Sequence, residues 1–497
     1  MNNIVVSIAK IDALFHVNEG KPMETLTSEQ KQAFDAVIEG KSIFITGPGG
    51  TGKSYLLKMI YDLVPELTNK KVAVTALTGC AALLLGPHAR TLHSWTGIGL
   101  GKEPSRYLAG MIGRSDKAIE RWTKTDILVI DEVSMLTPEL LEKLNTIGQL
   151  IRRNSKPFGG LQIIFVGDFY QLPPVFKESE CSFAFESPTW TSLIQDTIQL
   201  TKIHRQADPV FQGILMEARE GALSQESLAI LESRKGLKWK KLKIRPTLLF
   251  TRRNEVDQVN DINMKMLLAD ESVDREEYTV SPAISSVKKA DVKKAIEKMD
   301  KDGQYTPTLM LATGAQVMLL INKNFDLGHV NGSRGVVTGF TESGPRLPIV
   351  QFKNGDPVPI DYHTWTSNEN EGITRKQIPL RLAYAITIHK AQGSTLDSAL
   401  IDIGRSTFEA GQAYVALSRV KSLEGLYIWD IDPLAFRTHP RVSAFYKHLV
   451  ISEKTYDGVD IKAKEDLSFL NKELSKPYNK TEATTTQPIT NFFSAAK

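Results

Sequence analysis

Only two cysteines, Cys80 and Cys181, occur in 497 residues. That is too few for a disulfide framework or a cysteine-rich zinc site, and it points to a reducing, intracellular setting. Charge excess is equally scarce, with 61 Lys and Arg against 57 Asp and Glu. A nucleic-acid partner would therefore be held by a local groove of positive charge, not by bulk attraction. No apolar run reaches the length of a membrane span, and the opening "MNNIVVSIAKIDALFHVNEG" lacks the apolar core of a secretory signal, so a soluble, unsecreted protein is expected. No repeat of solenoid period is visible.

What is present is length enough for several cores and a regular alternation of strand-like and helix-like segments. The apolar runs "KSIFITG", "KVAVTAL", "DILVIDE" and "LQIIFVGD" alternate with helical stretches up to about Gly167, the pattern of a mainly parallel sheet flanked by helices. A second set begins with "PTLLFT" and "NEVDQVNDINMKML" and resumes with "SALIDIG" and "GLYIWDI". The gap between them holds a charged stretch and then short β-like runs with Asn331-Gly332 and Asn354-Gly355 as hairpin signals, which fits a small antiparallel barrel.

The sharpest chemical signal is "GPGGTGKS", Gly47 to Ser54, set between the strand "SIFIT" and the helix "YLLKMIYDLV". In that context Gly47, Gly49, Gly50, Thr51 and Gly52 form a loop whose backbone N–H groups surround phosphate at a helix N-terminus. Lys53 would reach the β- and γ-phosphates of ATP, and the Ser54 hydroxyl would ligate magnesium. A carboxylate at a neighbouring strand tip completes such a site, and "ILVIDEVSM" supplies two. Asp131 is the expected magnesium partner and Glu132 the general base for the attacking water. Gln30, in "LTSEQKQAF", either presents its amide to the N6 and N7 edge of adenine or is a polar residue on an exposed helix start.

From "GDFYQLPPV" onward the chain resembles superfamily 1 DNA helicases, and the ordered blocks narrow the match to the Pif-one and RecD-like branch. They run from "LTSEQ" through "GPGGTGKS", "TALTGCAA", "TLHSW", "VIDEVSML", "PFGGLQIIFVGDFYQLPPV", "LTKIHRQ" and "AYAITIHKAQGSTLD" to "GQAYVALSRV". The resemblance implies an α/β chain with two RecA-like P-loop NTPase domains in tandem. The first is placed at 26–204, after an extension at 1–25 and interrupted by a wedge-like insertion at 97–122. The second is placed at 205–270 and 374–435, around a β-rich insertion at 271–373, with a C-terminal extension at 436–475 and a flexible tail at 476–497.

The same resemblance implies roles. Arg205 in "HRQ" and Arg419 in "ALSRV" would act as arginine fingers from the second domain, which makes hydrolysis depend on closure. Gln171 would sense the γ-phosphate from the first domain, with Gln392, Gly393 and Gln412 working from the second. Thr78, His93, Phe169, His389, Lys390, Ser394 and Thr395 would line a single-strand channel, with Lys390 and the hydroxyls on phosphates and the aromatic rings stacking on bases. His93 and Trp95 read equally well as core residues. The expected activity is ATP-dependent 5′ to 3′ unwinding of duplex DNA, and of G-quadruplexes as in relatives, by a monomer working in replication, repair or recombination. A protein-displacing translocase and an RNA-directed helicase are the alternatives. The tail motif "TQPITNFF" resembles a sliding-clamp box, with Ile489, Phe492 and Phe493 as anchors and Thr486 where the usual glutamine would stand.

Overall fold

The computed structural model describes residues 25–449 except 87, 175–181, 240–241, 243, 285–291, 294–295, 298, 301–304, 322, 324–328, 330–332, 353–355, 367–372 and 406. The tail residues Ile489, Phe492 and Phe493 and the two Asn-Gly pairs lie outside the described residues. The chain divides into two compact units, one running to Arg205 and joined by residues from His439, the other spanning Gln206–Thr438.

Six parallel strands build the first unit: β1 Ile43–Thr46, β2 Val72–Ala76, β3 Arg90–Thr91, β4 Ile127–Asp131, β5 Gln162–Val166 and β6 Asp196–Gln199. Their order across the sheet is β3-β2-β4-β5-β1-β6. The strands β1, β4 and β5 are enclosed along their whole length. That is why they read as unbroken apolar runs, since a central parallel strand is covered on both faces. Because all six run the same way, the loops that follow β1, β2, β4 and β5 emerge along one edge, where α/β sheets place ligands.

Helix α1 (Ser28–Ile38) starts with a reciprocal capping box: Gln30 N–H donates to Thr27 Oγ1 and Thr27 N–H to Gln30 Oε1. Helix α2 (Lys53–Thr68) buries Leu56, Leu57, Ile60 and Val64, the spacing of one helical face. The wedge-like insertion folds as α3 (Ser105–Ile112) and α4 (Asp116–Lys124). Leu108, Ile112, Ala118 and Trp122 join the same core as Leu128 and Ile130 of β4. The insertion is thus fastened to the sheet, while Leu100 and Tyr107 stay exposed.

The second unit carries a parallel sheet of β7 (Thr247–Phe250), β8 (Ala385–Thr387), β9 (Ala399–Ile403) and β10 (Leu426–Ile431), in the order β8-β7-β9-β10. The inserted region is β-rich and antiparallel, as expected. Its described strands form three antiparallel ladders, and the last strand, Leu380–Leu382, pairs with Gln316–Leu319. The insertion therefore returns to the parallel sheet beyond Leu382, not at Thr374. Its apolar side chains, among them Leu311, Val317, Val337 and Val350, share one core with Leu248, Ala385 and Leu400 of the parallel sheet.

A second difference concerns the C-terminal extension. Helix α6 follows α5 (Gln412–Leu417) in the chain and spans Pro440–His448. It belongs to the first unit, where Val442 and Phe445 are buried in the core. The Phe445 ring stacks on Phe185 at 4.1 Å, and Arg441 meets the Glu186 carboxylate at 3.4 Å. Among the described residues no helix is long and apolar enough to cross a membrane.

Candidate active site

The loop Gly47 to Gly52 leaves β1 and ends on the first turn of α2, which gathers its N–H groups at the positive end of the helix dipole. Gly47 has φ +143°, and a Cβ there would sit 2.3 Å from the Leu200 carbonyl oxygen. Only glycine fits this start. Thr51 Oγ1 donates to Pro48 O at 2.9 Å, Gly50 O accepts from His204 N–H at 2.8 Å, and Lys53 Nζ donates to Gly47 O and Pro48 O at 2.7 and 2.8 Å. The ammonium is thus held at the loop itself. Ser54 is exposed on the first turn of α2, next to it.

Asp131 ends β4 and is 8% exposed. Burial, and then the neighbouring Glu132 charge, push its carboxyl up to about 7, against a hydrogen bond from Glu132 N–H and the Lys53 ammonium. A buried carboxylate that resists ionising for want of compensating charge suits a hard dication, and the oxygen donors of Asp131 and Ser54 are of the kind magnesium takes. Glu132 has φ +56° and ψ +42°, a left-handed conformation that a side chain other than glycine adopts at a cost, typically at functional sites. The adjoining loop is as tight: a Cβ on Gly167 would lie 2.9 Å from Val133 N.

Gln171 follows β5, on a turn closed by its N–H to Asp168 O at 2.9 Å. Since β5 lies between β1 and β4, the glutamine loop emerges between the phosphate loop and the acid pair. Gln30 is 2% exposed, so it is no surface residue. Its Oε1 completes the cap of α1, and its Nε2 donates to Thr51 O at 3.3 Å, tying α1 to the phosphate loop.

In the second unit Arg419 is 2% exposed. Its Nε donates to Val415 O at 2.9 Å and Nη2 to Ser418 Oγ at 2.7 Å, which fixes the guanidinium plane against α5. Gln412 begins α5, and its Oε1 accepts from Phe408 N–H and Glu409 N–H. Its Nε2 has no protein partner and is buried, a donor that a ligand oxygen would satisfy. Gln392 is buried on the turn after His389, and Gly393 follows it with φ +78°. Arg205 is half-buried and stands where the chain passes between the units.

The strand-contact candidates divide. Thr78 caps the helix Gly79–Leu85 by accepting from Ala81 N–H. His93 and Thr395 are half-buried and Lys390 is exposed. Burial lowers the pKa of His389, which favours its uncharged imidazole. Trp95 is a core residue, its ring 5.1 Å from Trp122. Ser394 is a correction: it is buried and its hydroxyl donates to Ala391 O at 2.6 Å, so that proton is not available to a phosphate.

Phe169 is the larger correction. It is 2% exposed, its ring packs against Phe44, Phe185, Trp190 and Phe445 at 4.9–5.7 Å, and no face is left to stack on a base. Phe169→Ala is accordingly expected to destabilise the first unit by about 3–5 kcal/mol, read as a lower midpoint in denaturant. Reduced single-strand affinity at unchanged stability would restore the stacking role.

Comparison with known proteins agrees with this geometry. A family model described as PIF1-like helicase matches residues 25–225, and one described as DNA helicase Pif1, 2B domain, matches residues 297–340. Human ATP-dependent DNA helicase PIF1 is 40% identical over 428 residues, covering 85% of this chain and 64% of the human protein. The crystal structure of Pif1 helicase from Candida albicans is 36% identical with a TM-score of 0.70, covering 85% of this chain and 99% of that one. The chain belongs to the PIF1-like helicase family. Bacteroides Pif1 in complex with ADP-AlF3 and ssDNA is 26% identical with a TM-score of 0.58, covering 85% of this chain and 96% of the other. The chain spans 64% of the length of the human and zebrafish curated relatives it matches.

Within this PIF1-like frame, two side chains that sequence reasoning passed over make hydrogen bonds beside the candidate residues. Gln206, the last residue of "HRQ", donates from Nε2 to Val420 O at 2.8 Å and to Ser418 O at 3.3 Å. It thus grips the backbone on both sides of Arg419, and its place in the motif was the available signal. Tyr446 of α6 is the second, and no motif announced it.

Proposed function

We propose that this PIF1-like chain is an ATP-driven DNA helicase that moves 5′ to 3′ along single-stranded DNA and separates the duplex ahead of it. The observation that carries this reading is the convergence of Lys53, the Asp131–Glu132 pair and Gln171 on loops from one edge of one parallel sheet. The names of the human and Candida relatives and the ADP-AlF3 and ssDNA complex of the Bacteroides protein support it.

In this reading the ATP phosphates lie on the N–H groups of Gly49 to Lys53, with Lys53 releasing its two carbonyl partners for phosphate oxygens. Magnesium, held by Ser54 and Asp131, would neutralise phosphate charge. Glu132 takes a proton from the attacking water while Gln171 orients the γ-phosphate; the bond from the γ-phosphorus to the bridging oxygen breaks, and ADP leaves with that oxygen. Arg205 and Arg419 stabilise the charge that develops on the transferred group. Since Arg419 belongs to the other unit, hydrolysis in this reading requires closure, and each turnover alternates the grip on the strand, through Thr78 and His93 from one unit and His389, Lys390 and Thr395 from the other.

The test is unwinding of matched duplexes that carry a 5′ or a 3′ single-stranded tail, with Lys53→Ala as the inactive control. Unwinding from the 5′ tail alone is expected. Unwinding from the 3′ tail alone would reverse the polarity, and ATP turnover with neither substrate opened would leave a translocase that displaces proteins.

A further inference from the structure

The chain after the second unit folds back as α6, and one of its side chains reaches the nucleotide loops. Val442 and Phe445 bury the inner face of this helix among Phe44, Phe169 and Phe185, and Arg441 pins its first turn to Glu186. That anchoring sets Tyr446 over the loop after β5. Its ring stacks on Tyr170 at 4.6 Å with 17° between planes. Its hydroxyl lies 2.6 Å from Thr46 Oγ1, accepts from Phe169 N–H at 3.1 Å, and is 3.3 Å from Asp168 Oδ1.

Each contact bears on the site. Thr46 is the last residue of β1, directly before Gly47 of the phosphate loop. Asp168 is fully buried, accepts from Tyr170 N–H through its carboxylate and closes the Gln171 turn through its carbonyl. One proton arrangement uses every group: Thr46 and Phe169 N–H donate to the phenol oxygen, and the phenol donates to Asp168. A single hydroxyl thereby joins the strand that delivers the phosphate loop to the loop that delivers Gln171.

We propose that Tyr446 is a positioning residue of the nucleotide site, and that helix α6 is part of the hydrolytic apparatus, not an appendage. The proposal rests on the reading of this site as an ATPase. Tyr446 touches neither the phosphates nor the attacking water; it acts by holding Gln171 in register with the phosphate loop. Ground-state nucleotide binding through the loop and Lys53 does not need that register, whereas the transition state does.

The experiment uses the full chain with Tyr446→Phe, which keeps the ring stack and removes the hydroxyl. Expected are a loss of about tenfold in DNA-stimulated kcat, the size of a lost hydrogen bond to a charged group, and a matching loss of affinity for ADP with aluminium fluoride. The KM for ATP, the affinity for ADP and the melting temperature should stay near wild type. Thr46→Val should show the same split, and the double variant should be no worse than the more affected single one, because both remove one shared network. An unchanged kcat, or a parallel fall of kcat, ADP affinity and melting temperature, would overturn the proposal. If the wild-type chain does not hydrolyse ATP with single-stranded DNA present, the ATPase reading itself fails; the positioning role fails when wild type turns over and Tyr446→Phe matches it.

Discussion

Glu132→Gln should bind ATP as tightly as the wild-type chain and hydrolyse it more slowly by roughly 10²–10⁴-fold, the range a general base contributes. The amide has the shape of the carboxylate and cannot take a proton. Two features make this substitution cleaner than most. The left-handed backbone at Glu132 is imposed by the tight strand-to-turn junction, so an isosteric side chain keeps the geometry. Glu132 is also the second cause of the raised Asp131 pKa, after burial. Removing its charge lets Asp131 ionise at lower pH, so nucleotide binding that depends on ionised Asp131 is preserved or strengthened. Binding of a fluorescent nucleotide and release of phosphate, measured side by side, separate the effects. Turnover at the wild-type rate would remove Glu132 from the chemistry, and a joint loss of binding and turnover would make it structural.

The parts of this fold most legible in the sequence are those where burial on two faces leaves a plain mark. Strands β1, β2, β4 and β5 appear as apolar runs, and the phosphate loop as a glycine pattern between a strand and a helix. The edge strands left no such mark: Arg90–Thr91 is two residues long and Asp196–Gln199 has three polar residues in four. An edge strand with one partner needs no continuous apolar stretch, so its composition resembles a loop. The return of α6 was illegible for a different reason. Its apolar positions Val442 and Phe445 show that it packs, but nothing local in them says against which sheet, and the answer lies over 250 residues upstream at Phe185 and Glu186.

At the candidate site, the structure brings Lys53, Asp131, Glu132 and Gln171 to loops at one edge of one sheet, as their motifs suggest, and the corrections fall where type is shared between two roles. Phe169 sits between Asp168 and Gln171 on the loop of the candidate site, and an aromatic ring suits a base stack or a core. Only the surrounding cluster of Phe44, Phe185, Trp190 and Phe445 decides it for the core. Ser394 shows the same ambiguity in a hydroxyl, which serves either a phosphate or the nearest helical carbonyl. Gln30 reads from its type as a ligand or a surface residue, and in the structure it is a cap buried against the phosphate loop.

Arg419→Lys should reduce DNA-stimulated hydrolysis by about 10³-fold or more, the scale of a lost arginine finger, although the positive charge is kept. Lysine is the informative choice because alanine would leave a cavity in a fully buried place, confusing folding with catalysis. What the structure fixes at this position is a plane. Nε is held by Val415 O, Nη2 by Ser418 Oγ, and the carbonyls on either side by Gln206. An ammonium on a flexible stem cannot reproduce that preset fork, which stabilises charge on several oxygens at once. ATP affinity should stay near wild type, since the phosphate loop and Lys53 belong to the other unit. The loss should therefore appear in kcat and in binding of ADP with aluminium fluoride, not in KM. Retained turnover would mean that the buried guanidinium serves only to hold the end of α5, and Arg205 would then have to supply the finger alone.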